Sequence, residues 1–340
     1  MKVLHQIKFP QSIGANRFIY DGYKQAWLDL GHNFFPLTEN DDLEESLKKI
    51  KPDLFFASLD YLNIPSDIGI IKKARKLGIK VFVGVGHRFD QDASILSILK
   101  DRDFADIYYG EKEIEAMKNF KKIIGKDYHL IPHAANKSIH FPTKALEKYK
   151  YDIVFLGAKL PLKRWFFNQV LLPLKKDYNV GIFGPYWTKK DQVFRLGQRV
   201  SREVHLNGLS NFINRLRITI PLEEENALYS SAKICLNFHE RNNDGSEASF
   251  LVNERTFKIC ACGGFQICDY LPALKRYFNE NEIVSVKLNR EEWLNKIKYY
   301  LNHPNERRKI QEAGTRRALR DHTYHNRVNK IIKIYKKLQI

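Results

Sequence analysis

Nowhere in its 340 residues does the chain hold an unbroken run of eighteen apolar residues, so no segment has the length to cross a bilayer as a helix. The opening residues, MKVLHQIKFP, carry an apolar run too short for a signal peptide. The expected location is therefore the cytoplasm, free or peripherally attached to a membrane. Cysteine is scarce as well. The four present, Cys235, Cys260, Cys262 and Cys268, fall at apolar positions of one short region and read as small core residues of a reduced protein. Cys260-Ala261-Cys262 lacks the usual C-x2-C spacing and has no second pair, so no metal site is expected. G-x-G-x-x-G is missing, which removes the dinucleotide fingerprint, and no internal repeat or low-complexity tract occurs. Acidic residues are in deficit, 39 against 57 basic, leaving a formal charge of +18. That excess calls for an anionic partner. No zinc-finger, RRM, KH or helix-turn-helix pattern accompanies it, so nucleic acid is not the expected one.

What is present is alternation. Apolar strand runs at residues 3–7, 53–59 and 79–85 are each followed by a helical pattern, and 105–109 and 130–131 supply two further strands. Such an order predicts a parallel α/β sheet. The polar, proline-bearing stretch at 140–150 reads as a linker. A second alternation then begins: YDIVFLG, a helix, NVGIFG, a basic helical stretch over 189–202, an irregular stretch after Gly208, a short helix over 223–231, three more strands and three terminal helices. The chain is also longer than one core usually grows, so two domains are expected. Their expected spans are 1–146 and 147–325, with 326–340 as a last helix. Val328, Ile331, Ile332, Tyr335 and Leu338 fall on one face of that helix. This face reads as a contact with the first domain, or alternatively as a seat on an anionic membrane surface.

The region from Ala232 to Tyr270 is the most informative. It reads as a buried strand, a polar loop, a helix opening at Glu254, a Gly263-Gly264 turn and another strand. Free N–H groups at the start of that helix favour a phosphate, which places Asn253 and Arg255 where a diphosphate would bind. Asn237 and His239, at the end of the strand, face the same crevice in a parallel sheet. Gly263 suits a helix C-terminal cap, and Gly264 suits close helix–strand packing or the approach of a ligand. Gly157 ends the first strand of the second domain, and the loop after it offers Lys159, Lys163 and Arg164. Gly184 ends the second strand, followed by Tyr186 and Trp187, which pack the sheet or stack on a base.

The run NERTFKICACGGF with CDY after it, ICLN before it and DHTYHNR near the end resembles the C-terminal domain of the spore-maturation-protein-like glycosyltransferases, a branch of the GT-B superfamily. DIVFLG and VGIFGPYW continue the resemblance in order over about residues 150–335, while LDLGHNF and LIPHAANKSIHFP extend it loosely into the first half. The resemblance implies two tandem Rossmann-like domains, a terminal helix crossing back to the first, and metal-independent, retaining transfer of a sugar from a nucleotide diphosphate to a glycan, lipid-linked or polymer acceptor. No cofactor is implied beyond that co-substrate. It also implies a basic residue near the donor phosphates, favouring Arg164 and then Lys159. One position departs from the pattern. Where the family usually has a ribose-binding glutamate stands Lys258, which has donors and no acceptor. Lys258 adds charge against the diphosphate, or the contact moves to Glu254, or the site is weakened.

In the first half, VGVGHRFDQD at 83–92 offers His87 and Asp90 as catalytic candidates lining the cleft from the other side. Asp90-x-Asp92 also matches a metal-holding pair, but lies outside the domain with the donor signature, and Asp92 fits a helix N-cap. Gly14 and Arg17, after the first strand, are candidates for an acceptor or phosphate loop. A same-fold nucleotide-sugar epimerase and a non-catalytic binding protein are the competing functions, the second made credible by Lys258.

Overall fold

A computed structural model of the chain describes residues 1–7, 14–86, 89 and 93–339. Its backbone forms two compact units: one holds the amino-terminal strand, Asn16–His133 and the segment from Tyr324, the other Ala134–Thr323.

The sheet of the first unit contains β1 (Lys2–Gln6), β2 (Asn33–Leu37), β3 (Leu54–Ser58), β4 (Lys80–Gly84), β5 (Ile107–Gly110) and β6 (Tyr128–Leu130). All neighbours pair in parallel, in the order β2-β1-β3-β4-β5-β6. β3 and β4 are apolar along almost their whole length because helices cover both faces of a parallel sheet. β2 is a strand that the apolar pattern does not predict. It lies at the edge, only Leu37 is buried, and Pro36 sits opposite His5, where an edge strand tolerates a residue with no N–H. Between β5 and β6 the α-helix is short, Phe120–Ile124.

The terminal helix, Tyr324–Lys337, groups with this unit and packs on the helix Asn16–Asp29. Tyr324, Val328, Ile331 and Tyr335 are buried, in keeping with the apolar face in the sequence. Arg327 is buried too, its Nε donating to the Pro132 carbonyl at 2.9 Å and its Nη2 to that of His133 at 2.9 Å. Lys330 donates to the Leu130 carbonyl at 2.8 Å.

The second unit holds β7 (Ile153–Leu156), β8 (Val180–Phe183), β9 (Ile234–Asn237), β10 (Gln266–Asp269) and β11 (Val284–Val286), parallel throughout and ordered β11-β10-β9-β7-β8. The chain builds outward from β7 to β8, then returns to β7's other side with β9. The order therefore reverses between β7 and β9, and a crevice opens at the carboxyl ends of those two strands. One expectation fails here. The stretch after Gly208 is a helix, Asn207–Leu216, because Leu209, Phe212 and Leu216 recur at helical spacing.

The tightest fit between helices in the first unit is at Gly22, where a Cβ would stand 2.1 Å from Cδ2 of the buried Tyr324 ring. Gly22→Ala is expected to lower the unfolding free energy of this unit by about 1–3 kcal/mol, read as a drop in Tm. An unchanged Tm would show that the terminal helix yields freely.

Candidate functional site

The crevice between β7 and β9 is bounded by the loop after β7, the end of β9 and the N-terminus of the helix Glu254–Ala261. Asn253 is the N-cap of that helix, in extended conformation, and its side chain accepts from the Thr256 N–H at 3.2 Å. It also exchanges two amide hydrogen bonds with Asn237, each 3.0 Å, and Asn237 donates to the Thr256 hydroxyl at 3.0 Å. All three residues are buried. The two asparagines thus fasten the helix start to the end of β9.

Arg255, the second residue of the helix, is 6 % exposed. Its guanidinium lies 5.6 Å from the centre of the Phe155 ring, and Nη1 reaches the Leu156 carbonyl only at 3.4 Å. Among the described residues its carboxylate neighbour is Glu254, at 4.0 Å, and Nε is buried without a hydrogen bond. Gly157 makes room for this side chain: a Cβ there would stand 2.3 Å from Nη1. Gly184 in turn closes on Gly157, with φ +115° and a Cβ position 2.5 Å from the Gly157 carbonyl oxygen, so neither position accepts a side chain.

The loop after β7 turns in a residue that the sequence pattern ranks below its neighbours. Lys163 is 4 % exposed, while Arg164 and Lys159 are exposed. Lys159 extends over the Trp187 ring at 5.6 Å. Lys163 closes the turn Pro161–Lys163 and stands three and four residues before the buried Phe166 and Phe167. That spacing, shared with an apolar face, is the signal that separates it from Arg164. Burial pushes the Lys163 ammonium down to about 7; the Arg255 charge acts in the same direction, and Glu240, Glu254 and Asp269 act against it.

His239, just past β9, is held by Asp269, the last residue of β10. The carboxylate accepts from the His239 backbone N–H at 2.8 Å, from Nδ1 at 2.7 Å, and from Arg241 Nε and Nη2 at 3.0 and 2.6 Å. An acceptor-only carboxylate requires Nδ1 to carry the proton, which leaves Nε2 facing the Thr256 hydroxyl at 3.3 Å. Burial works to raise the Asp269 carboxyl, yet His239 and Arg241 outweigh it and hold the group below the ordinary carboxylate range. Asp269 and Arg241 were not singled out from the sequence. The CDY run contains the aspartate, but nothing local announces its partners.

Lys258 points elsewhere. Its Nζ is 2.5 Å from Glu225 Oε1, with side-chain exposures of 5 % and 1 %, in an ion pair between Glu254–Ala261 and the helix Glu225–Ser231. The lysine is thereby matched by a carboxylate in the interior. Gly263 caps the helix with φ +72°, and Gly264 allows close packing, since a Cβ there would lie 2.9 Å from Ile259 and 3.1 Å from Cys235 Sγ. Gly14, which groups with the second unit, is exposed, and Arg17 of the first unit is half-buried in the first turn of Asn16–Asp29. His87 and Asp90, with Asp92, lie outside the described residues. Among the described residues no group of three or more His, Cys, Asp or Glu converges as a metal site, and no helix is long and apolar enough to cross a membrane. All four cysteines are buried thiols.

Removing one partner of the Lys258–Glu225 pair leaves a buried charge unmatched. Lys258→Met is expected to cost about 3–5 kcal/mol, and adding Glu225→Leu is expected to recover most of it. Denaturant unfolding of the two variants measures both. A single variant as stable as the parent would show that the pair does not hold the two helices together.

Residues 163–333 match the family model described as glycosyl transferase-like. Spore protein CgeB of Bacillus subtilis is 24 % identical over 221 residues, 62 % of each chain, so the similarity spans about three fifths of that relative's length. Among solved structures, sucrose-phosphate synthase of Thermosynechococcus elongatus superposes with a TM-score of 0.65 at 13 % identity, covering 99 % of both chains. HepE of Anabaena, solved in complex with UDP and glucose, gives 0.58 at 11 % identity, again over 99 % of both. The structures share the fold, two parallel-sheet α/β domains of the GT-B type, and the family match takes in Lys163, β9 and the helix Glu254–Ala261, while β7 lies before it. The chain belongs to the glycosyl transferase-like family and has a GT-B-type fold.

Proposed function

We propose that the crevice of the second unit binds a nucleotide-diphosphate sugar, and that the enzyme transfers the sugar, with retention and without a metal, to a hydroxyl of a glycan, lipid-linked or polymer acceptor. The observation that carries this reading is the pair of buried cations, Arg255 and Lys163, beside the N-terminus of Glu254–Ala261. Two cations and a helix start present positive charge to one place, as a diphosphate requires. As the sugar–phosphate bond breaks, negative charge builds on the departing diphosphate, and these groups are already oriented to stabilise it. They supply the charge that a divalent ion supplies elsewhere, which supports the metal-free reading. UDP in the HepE structure is the corresponding ligand of a fold relative. Retention rests on the family resemblance.

Lys258 bears on the choice between enzyme and binding protein. Because Glu225 holds it, it leaves the crevice unobstructed, and the carboxylate one helical turn earlier, Glu254, is the proposed acceptor for ribose hydroxyls. His239, oriented by Asp269, and the positions Gly157, Gly184, Asn237 and Asn253 shape the crevice. Lys159 and Arg164 lie at its outer loop. Gly14, Arg17, His87 and Asp90 remain candidates for the acceptor side.

A thermal-shift panel of UDP-, GDP-, ADP- and dTDP-sugars tests the donor. One nucleotide is expected to stabilise the protein, and Arg255→Ala is expected to weaken it by about 2 kcal/mol or more, roughly thirtyfold in affinity. No stabilisation by any donor would defeat the proposal. Stabilisation with sugar inverted on the donor, and no glycosylated product, would instead indicate an epimerase.

Lys163 adds a pH dependence. Its value of about 7 lies below the ordinary lysine value of 10.5, so between these limits the unfolded chain holds a proton that the folded chain has released. Stability of the ligand-free protein should therefore rise with pH in that window. A diphosphate favours the protonated amine, so donor affinity should run the other way, strongest below pH 7 and declining as pH rises through 7. Calorimetry in buffers of differing ionisation heat should register proton uptake near pH 8, absent in Lys163→Met. A flat affinity profile across this window would place Lys163 away from the phosphates.

A further inference from the structure

Between β8 and β9 the second unit carries a helical hairpin, Lys189–Glu203 followed by Asn207–Leu216. The two helices meet through small and polar groups. Across the contact an ideal Cβ on Gly197 would lie 3.6 Å from Ile213 and the Ser210 hydroxyl reaches the Gln198 carbonyl at 3.5 Å, while the buried Ser201 hydroxyl donates to the Gly197 carbonyl of its own helix at 2.8 Å. At the base, buried Arg217 pairs with Asp191 at 2.7 Å.

The large apolar side chains face the other way. Val193, Leu196 and Val200 recur at helical spacing on the first helix, and Leu209, Phe212 and Leu216 on the second, with exposures from 46 % to 68 %. Among the described residues, eight of the nineteen exposed large apolar side chains fall between positions 193 and 216. Spacing of this kind normally faces a core. A concentration of it in solvent marks a surface that another body covers.

Charge identifies the body. Lys189, Lys190, Arg195, Arg199, Arg202 and Arg215 are all exposed on the hairpin. Of its two acidic residues, Asp191 is buried against Arg217, and Glu203 is paired with Arg199 at 3.1 Å. A second copy would bring the same basic hairpin, on a chain of net charge +18, against its like. Nucleic acid matches the charge but offers nothing to the apolar stripes. A bilayer with anionic headgroups matches both, since apolar side chains enter the acyl boundary while Lys and Arg remain among the phosphates.

We propose that the hairpin Lys189–Leu216 docks this protein on an anionic membrane surface. The inference stands apart from the donor reading, because none of its residues holds the proposed diphosphate. It is tested by flotation of the full chain with vesicles of phosphatidylcholine alone and of phosphatidylcholine mixed equally with phosphatidylglycerol. Binding is expected only to the mixed vesicles and should weaken with salt. Leu196→Ser/Phe212→Ser and Arg199→Gln/Arg202→Gln should each reduce it about tenfold or more, with unchanged thermal unfolding because all four side chains are exposed. Three results would overturn the proposal: no binding to mixed vesicles at low salt; full binding by the serine variant; or a dimer in sedimentation that the serine variant dissociates, which assigns the face to a second copy.

Discussion

The reciprocal amide hydrogen bonds between Asn237 and Asn253 are the constraint on which the site depends. One asparagine ends a central strand; the other caps the helix that carries Arg255. A side-chain amide can serve as donor and acceptor at once, so each satisfies the other while Asn253 still accepts from the helix and Asn237 still donates to Thr256. Removing either leaves buried polar groups unmatched, at a cost of about 1–3 kcal/mol apiece. The same bonds orient the helix start toward the place where the strand order reverses. Two residues read from the sequence as ligand contacts are thus engaged in holding the scaffold, and they bear on the proposed donor site through the position of Arg255.

Around that anchor the second unit sorts its buried charges into two kinds. Asp269 receives four hydrogen bonds from His239 and Arg241, and Lys258 meets Glu225 at 2.5 Å. These groups are matched within the fold. Among the described residues Arg255 and Lys163 are not: one finds a carboxylate at 4.0 Å, and burial draws the pKa of the other down to about 7. Burying a cation without a partner is expensive, so a fold that places two of them at one helix start gains from an anion that settles there. The contrast with Lys258 has a geometric origin. Arg255 and Lys258 are three residues apart on one helix, yet the first meets Gly157, which has no side chain to exclude it, and the second meets an acidic helix.

Much of this was legible in the sequence, and the gaps have physical reasons. Five strands of the second unit follow from apolar runs bounded by Gly and polar loops, because a sheet covered on both faces leaves such runs uninterrupted. β2 escaped because an edge strand with Pro36 has little to bury. The helix Asn207–Leu216 escaped because Gly208 and three asparagines obscured an apolar period of three and four. At the site, Arg255, Asn253 and Gly157 were legible from their place relative to strand ends. Lys163 was placed behind Arg164 because the family resemblance ranks the loop's cations without regard to which of them shares a face with Phe166. Asp269, Arg241 and Glu225 could not be assigned roles, because their partners lie 28 to 33 residues away, and a single sequence does not display such pairings.

The charge of +18 is likewise not one property. The last forty residues contribute eleven basic side chains against three acidic, and they look like a docking tail. In the structure Arg327 and Lys330 are occupied by backbone carbonyls of the first unit, while Arg317 and Arg320 meet Asp321 at 2.8 Å. The apolar face of the terminal helix is buried as well. A membrane requires basic and apolar groups to be exposed together, and on that helix the apolar part is already used. In the hairpin the helices approach through Gly197 and Ser210, and the larger side chains are left outside beside the basic ones. The choice of small residues at a helix–helix contact thus decides which of two basic segments keeps an adhesive face.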